Sequence, residues 1–140
     1  MKTMKLLSIF AIIFASFVGF ESNAKEGAAT PYVVVDSEAL QKLQAENDDL
    51  VIIDSRGKSY FNNEVIAGSV QLSVGDTNEE NLSKLVSSKD QKIVFYCSNV
   101  NCPASAKAAF KASSLGYTNL YKYPAGMDDW KSKNLPTAKL

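Results

Sequence analysis

Alternation between short apolar runs and helical stretches is the feature that most constrains how this chain can fold. The apolar runs are rich in the β-branched and aromatic residues typical of strands, and they lie at 32–35, 50–53, 70–72, 92–96 and 120–123. Helices are predicted between them at 36–46, 78–87, 103–115 and 127–132, with a helical turn at 59–63. Because strands separated by helices are joined by crossovers, the pattern predicts an α/β fold. We expect a mainly parallel sheet of about five strands with helices on both faces.

The helix predicted at 103–115 carries a narrow apolar stripe. Ala106, Ala109, Phe110 and Ser113 recur at the spacing of one helical face, so this face is expected to pack inward. On the last predicted helix, Trp130 is expected to pack in the core rather than to stack on a substrate.

The N-terminus has the pattern of a secretory signal peptide. Lys2 and Lys5 precede an apolar stretch at 6–20, and Ser22 and Ala24 stand at the −3 and −1 positions of a cleavage site. The apolar stretch is shorter than the roughly 20 residues of a membrane-spanning helix. We therefore expect residues 1–24 to be removed, which leaves residues 25–140 as a single exported domain. A periplasm is the expected location, without membrane association after cleavage.

Charge and composition exclude several classes of function. The chain has 15 basic and 15 acidic residues, and removal of residues 1–24 leaves 13 and 14. No basic stripe is present, so a nucleic acid is a poor candidate partner. The chain has no His, which excludes a Cys-His catalytic couple and a His-based metal site. We expect no metal ion and no organic cofactor, and nothing in the composition indicates more than a monomer.

Cys97 is the candidate nucleophile. It ends the apolar run at 92–96, and ligands of parallel sheets bind at the carboxyl ends of strands. A polar loop follows, and Pro103 suits the first position of the next helix. Loop amides and the positive end of that helix would together favour the thiolate and lower the pKa of Cys97. The alternative is an inert, buried cysteine at the end of an apolar strand.

Several landmarks stand in a characteristic order along the chain. They are Asp54-Ser55-Arg56, the stretch 64–69, the run 92–96 with Cys97, Gly116-Tyr117, and the closing Gly126, Trp130 and Pro136. Together they resemble a single rhodanese-like domain over nearly the whole of residues 25–140.

The resemblance implies sulfur transfer. In that family the cysteine at the start of the loop takes the outer sulfur of a donor such as thiosulfate, becomes a persulfide and passes the sulfur to a thiophilic acceptor. Cys97 is the matching position, and Asp54 and Arg56 match residues with a structural role near the site. The implied partners are a small sulfur-containing anion or persulfide, and a sulfur-accepting protein. The backbone amides expected to hold the substrate are those of Ser98, Asn99, Val100, Asn101, Cys102 and Ala104.

The loop departs from the family pattern in its charge. It contains no Arg or Lys, whereas an Arg fork would bind a dianionic donor strongly. The absence of such a fork argues against efficient use of thiosulfate, and a polysulfide, a small persulfide or a protein persulfide remains compatible with the loop. Related phosphatases have an Arg six residues after the Cys, and here that position is Pro103, which argues against phosphate chemistry.

Cys102 has three interpretations. It is a resolving or redox thiol that attacks a Cys97 persulfide or sulfenate, a partner of Cys97 in a permanent disulfide, or a bystander packed under the loop. These leave two rivals to the sulfurtransferase hypothesis. One is a thiol–disulfide redox protein that uses Cys97 and Cys102, and the other is a non-catalytic rhodanese-like module that binds a partner or carries sulfur.

Overall fold

The computed structural model describes residues 29–140. The predicted signal peptide, residues 1–24, lies outside the described residues and stays a prediction. Within the described range, no helix is both long enough and apolar enough to span a lipid bilayer.

Strands and helices alternate along the described chain. The strands are β1 (Val33–Val34), β2 (Val51–Asp54), β3 (Glu64–Ile66), β4 (Val70–Gln71), β5 (Ile93–Tyr96), β6 (Leu120–Tyr123) and β7 (Thr137–Lys139). The helices are α1 (Ser37–Glu46), α2 (Glu79–Leu85), α3 (Ala104–Ser114) and α4 (Gly126–Ser132). A 3-10 turn at Lys58–Tyr60 stands close to the predicted helical turn at 59–63.

Five strands form one parallel sheet in the order β1-β6-β5-β2-β4. β5 is central, pairing with β2 on one side and with β6 on the other. Its four residues are all buried, because both faces of the sheet are covered. The expected α/β fold, with a mainly parallel sheet, is confirmed.

Alternate residues of the central strands enter two separate cores. Ile53 and Phe95 belong to the core beneath α2 and α3. Ile52 and Val94 belong to the opposite core, beneath α1 and α4. The predicted inward position of Trp130 is confirmed, since only 1% of its surface is exposed.

The predicted inner face of α3 is right for Ala109 and wrong for Phe110, while Ala106 and Ser113 are half-buried. The residues that α3 buries are Ala104, Ser105, Ala108, Ala109 and Ala112. Phe110 is instead 49% exposed and packs edge-on against Tyr32, with ring centroids 5.9 Å apart. Alanine and serine side chains let the helix axis lie close to the sheet, and a phenyl ring between helix and sheet would hold the two apart.

A second, two-stranded sheet was not predicted. β3 pairs with β7 in antiparallel register, so that Val65 lies opposite Ala138. Val65 and Ile66 are fully buried, and the hydroxyl of Tyr96 accepts the N–H of Ile66 at 3.0 Å. The C-terminus is thereby joined to the segment that follows β2.

Candidate functional site

Cys97 lies immediately after the central strand, at the carboxyl edge of the sheet. A pocket of about 510 Å³ opens there, within the size range of small-molecule sites. Cys97 and Cys102 both line the pocket, together with Arg56, Tyr60 and Lys107. Within residues 29–140, no cluster of acidic or cysteine side chains is placed to hold a metal ion.

A disulfide joins Cys97 to Cys102 across the loop. Their Cα atoms are 6.2 Å apart, which lies within the range that a disulfide spans. Cys102 is thus not a bystander in this structure. Cys97 has no thiol in this state and is only 2% exposed, so the disulfide must be reduced before Cys97 can act as a nucleophile.

The N-terminus of α4 holds the start of the loop. The amide of Met127 donates to the carbonyl of Cys97 at 2.9 Å, and the amide of Asp128 donates to the carbonyl of Ser98 at 2.9 Å. In a trans peptide the C=O and the following N–H point in opposite directions. The N–H groups of Ser98 and Asn99 therefore point away from α4, and neither is bonded to a protein acceptor within residues 29–140.

Asn99 organises the rest of the loop. Its side-chain oxygen accepts the amide of Asn101 at 3.1 Å, and its carbonyl accepts the amide of Cys102 at 3.1 Å. Its side-chain nitrogen donates to Asp128 at 2.9 Å. Two of the amides expected to hold a substrate, those of Asn101 and Cys102, are thus turned towards Asn99 while the disulfide is present.

The two remaining candidate residues are Val100, in the middle of the loop, and Ala104, at its end. Val100 is 72% exposed and stands outside the pocket lining. Ala104 is buried at the N-terminus of α3 and lines the pocket. The substrate cradle as a whole stays a prediction, and in this disulfide-bonded geometry the amides of Ser98 and Asn99 are among those without a protein acceptor within residues 29–140.

Asp54 and Arg56 form a buried ion pair beside the pocket. The Arg56 side chain donates to both carboxylate oxygens of Asp54 and also to the carbonyl of Glu64 at 2.5 Å. Burial disfavours the charged guanidinium, but the hydrogen bond and the charge of Asp54 outweigh it, so the pKa of Arg56 is raised. The pair links the end of β2 to β3, and its two charges cancel.

Tyr96, the residue before Cys97, is an uncharged side chain that holds the end of β5 in place. Burial, followed by the nearby charge of Asp54, raises the pKa of Tyr96 above its ordinary value. Its hydroxyl contacts the hydroxyl of Ser69 at 2.9 Å as well as the amide of Ile66. Tyr96 therefore fixes the end of β5 and stays protonated near neutral pH.

Lys107 is a site residue that the sequence interpretation missed. It lies in the first turn of α3, is exposed, lines the pocket and takes part in no ion pair within residues 29–140. A search for cations limited to the loop could not find it. The position of Lys107 in the predicted helix could have indicated it. Long side chains in a helix point back towards its N-terminus, and here that direction leads to the loop.

Comparison with known proteins establishes the family. The model of the Rhodanese-like domain matches residues 36–133, which is most of the chain. The chain belongs to the rhodanese-like family. This confirms the resemblance that the ordered landmarks indicated.

Three known proteins are similar to this chain in sequence or in fold. The uncharacterized protein YibN of Escherichia coli (strain K12) is 26% identical over 132 residues, which cover 94% of this chain and 84% of YibN. The BH2092 protein from Bacillus halodurans has a TM-score of 0.68 at 22% identity, covering 78% of this chain and 77% of its own. A thiosulfate sulfurtransferase from Pseudomonas aeruginosa has a TM-score of 0.60 at 15% identity, covering 77% of this chain and 20% of its own. At these identities the two structures show a shared fold.

Proposed function

We propose that this rhodanese-like protein is an exported sulfurtransferase that moves a sulfane sulfur through a persulfide on Cys97. The observation that carries the proposal is the position of Cys97. It directly follows the central strand and lines a pocket, and the adjacent amides of Ser98 and Asn99 have no protein acceptor within residues 29–140. Backbone amides of this kind can stabilise a thiolate or a persulfide anion without a cationic side chain in the loop.

The reaction begins with reduced Cys97. Its thiolate attacks the outer sulfur of the donor, a new S–S bond forms, and the donor's own S–S bond breaks. If the donor is thiosulfate, sulfite leaves with the electron pair. A thiolate acceptor then attacks the outer sulfur of the persulfide, and Cys97 leaves again as a thiolate.

Cys102 makes a second reaction of the Cys97 persulfide possible. Its thiolate can attack the inner sulfur of the Cys97 persulfide, so that hydrosulfide leaves with the electron pair and the Cys97–Cys102 disulfide forms. The Cys97–Cys102 disulfide of the structure is the bond that such a step would form, which supports this second reaction. The same disulfide favours one second candidate, a thiol–disulfide redox protein in which the two cysteines cycle without sulfur transfer.

Intact-mass measurement tests the proposal. Residues 25–140 are reduced, desalted without oxygen and incubated with thiosulfate or with polysulfide, alongside the Cys97→Ser and Cys102→Ser variants. We expect Cys102→Ser to gain and keep one sulfur atom, wild type to gain it transiently, and Cys97→Ser to gain none.

The other outcomes separate the rivals. Loss of two hydrogen atoms with a mild oxidant, requiring both cysteines and without any sulfur gain, would establish the redox candidate instead. A protein without reactivity at Cys97 would be a non-catalytic binding module. Export is tested separately by expressing residues 1–140 and comparing the mass of the periplasmic protein with that expected after cleavage at Ala24.

A further inference from the structure

Ser55 carries an unexplained polar group next to the site. It directly follows β2 and is fully buried. Within residues 29–140, its hydroxyl is the one buried side-chain polar atom without a hydrogen-bond partner. A buried hydroxyl without a partner costs free energy, so its presence calls for a reason.

The sheet register places Ser55 beside Cys97. β2 and β5 are parallel, and the last ladder pair is Asp54 with Tyr96. The amide of Ser55 donates to the carbonyl of Tyr96 at 2.8 Å, which is the hydrogen bond that closes this last pair. Continuing the register by one residue beyond this pair places Ser55 opposite Cys97, at the spacing of roughly 4.8 Å between neighbouring strands.

The two side chains also share a face. Ile53 and Phe95, two residues earlier on the same strands, both pack in the core beneath α2 and α3. Side chains of a strand alternate between faces, so Ser55 and Cys97 continue the face of Ile53 and Phe95. This is the face from which α3 covers the sheet, at the end where the loop begins.

We propose that the hydroxyl of Ser55 donates a hydrogen bond to the sulfur of Cys97 in the reduced protein, which makes Ser55 a second catalytic residue. In the disulfide-bonded state that sulfur is held by Cys102, and the hydroxyl has no acceptor. Once a dithiol reduces the disulfide, Cys97 gains a negative charge that the hydroxyl can bind. The proposal rests on the proposed function only in taking Cys97 as the reacting thiol.

The hydrogen bond has a definite chemical effect. Ser55 keeps its proton throughout and donates to an anion, so it favours the thiolate and the persulfide anion over their protonated forms. It thereby supplies from the neighbouring strand part of the stabilisation that the uncharged loop lacks. Bonds to charged groups are stronger than neutral ones, so the hydroxyl that has no acceptor in the oxidised state gains a strong one on reduction.

Alkylation of a single thiol tests the proposal. The background is Cys102→Ala, which leaves Cys97 as the one thiol and adds no new hydroxyl. The pKa of Cys97 is read from the pH dependence of its reaction with iodoacetamide. We expect Ser55→Ala to raise that pKa by about one unit, so that the alkylation rate below the pKa falls about tenfold. Ser55→Thr, which retains the hydroxyl, should keep the original profile.

Thermal unfolding separates this role from a structural one. In the disulfide-bonded protein, Ser55→Ala removes a hydroxyl without a partner, and its unfolding midpoint should stay the same or rise. Ser69→Ala is the matched control, because the buried Ser69 hydroxyl bonds to Ile66 and Tyr96. It should lower the midpoint and leave the pKa of Cys97 where it was.

An unchanged pKa of Cys97 in Ser55→Ala would overturn the proposal. This result is independent of sulfur transfer, since alkylation needs no sulfur donor. If Ser55→Ala shifts the pKa of Cys97 but the wild-type protein never forms a persulfide, the Ser55 contact is supported and the proposed sulfurtransferase function is excluded.

Discussion

At the scale of single residues, Gly126 decides where the loop lies. Its φ is +66°, and a Cβ atom there would stand 2.4 Å from the carbonyl oxygen of Cys97 and 2.9 Å from that of Ser98. Only glycine lets the backbone of α4 approach so closely. The two hydrogen bonds that orient the loop therefore depend on the absence of one side chain.

The variant Gly126→Ala is expected to be strongly destabilised. The positive φ and the overlap with backbone atoms, which cannot rotate aside, should together cost roughly 2–4 kcal/mol of unfolding free energy. Urea denaturation measures this cost. Gly57→Ala is the matched control, since a Cβ at Gly57 meets nothing within 4 Å. Equal unfolding free energies for the two variants would contradict the close-approach argument.

At the scale of elements, α3 combines packing and site functions. Its alanine face rests on the sheet, and its N-terminal end lines the pocket with Ala104 and Lys107. Because Arg56 is neutralised by Asp54, Lys107 is the cation at the pocket that has no ion-pair partner within the described residues. Its charge favours an anionic donor.

Lys107→Gln should therefore slow sulfur uptake from an anionic donor. We expect the rate of Cys97 persulfide formation with thiosulfate to fall about threefold to tenfold at low salt, and the difference to shrink as salt screens the charge. Stopped-flow assays that follow loss of the reduced thiol measure the rate. Lys84→Gln, on the surface of α2 and paired with Glu80, is the control. Identical rates for the two variants would exclude Lys107 from donor binding.

At the scale of the whole molecule, two carboxylates hold the C-terminal part in place: Glu64 connects β3 to α4 and β7, and Asp129 connects α4 to β6. Hydrogen bonds from Lys131 and Thr137 lower the pKa of Glu64, which lies in β3. Hydrogen bonds from Tyr123 and Lys133 lower the pKa of Asp129 in α4. Both groups are acids whose charged form is favoured by folding.

The protein should lose stability in acid for this reason. A lowered pKa in the folded state contributes stability above the ordinary values of 4.5 for Glu64 and 3.8 for Asp129, and this stability is lost as the pH falls through the lowered values. Urea midpoints measured between about pH 5 and pH 2 should drop, and Asp129→Asn should show a shallower drop.

Asp48→Asn is the control for this titration. Asp48 makes no side-chain hydrogen bond or ion pair within residues 29–140, so its substitution should leave the shape of the pH curve unchanged. A wild-type curve that is flat over the acid range would show that these contacts do not stabilise the fold.

The amino-acid sequence by itself determined the local elements and the position of the nucleophile candidate. The helix predicted at 36–46 is present as α1, and the carboxylate of Asp36 accepts the amide of Ala39 at 2.8 Å at its start. The apolar run before Cys97 became the central strand, fully buried. These features follow from hydrogen bonds and side-chain periodicity over a few residues, which a pattern records directly.

The tertiary structure alone decided which surfaces and groups meet. Four features depend on contacts between segments that are distant in sequence. They are the inner face of α3, the pairing of β3 with β7, the position of Lys107 at the pocket and the alignment of Ser55 with Cys97. Apolar periodicity shows that a helix has a packed face, but the space left by the sheet selects small side chains over Phe110. Such contacts depend on the relative positions of helices and strands, which are defined only in the folded protein.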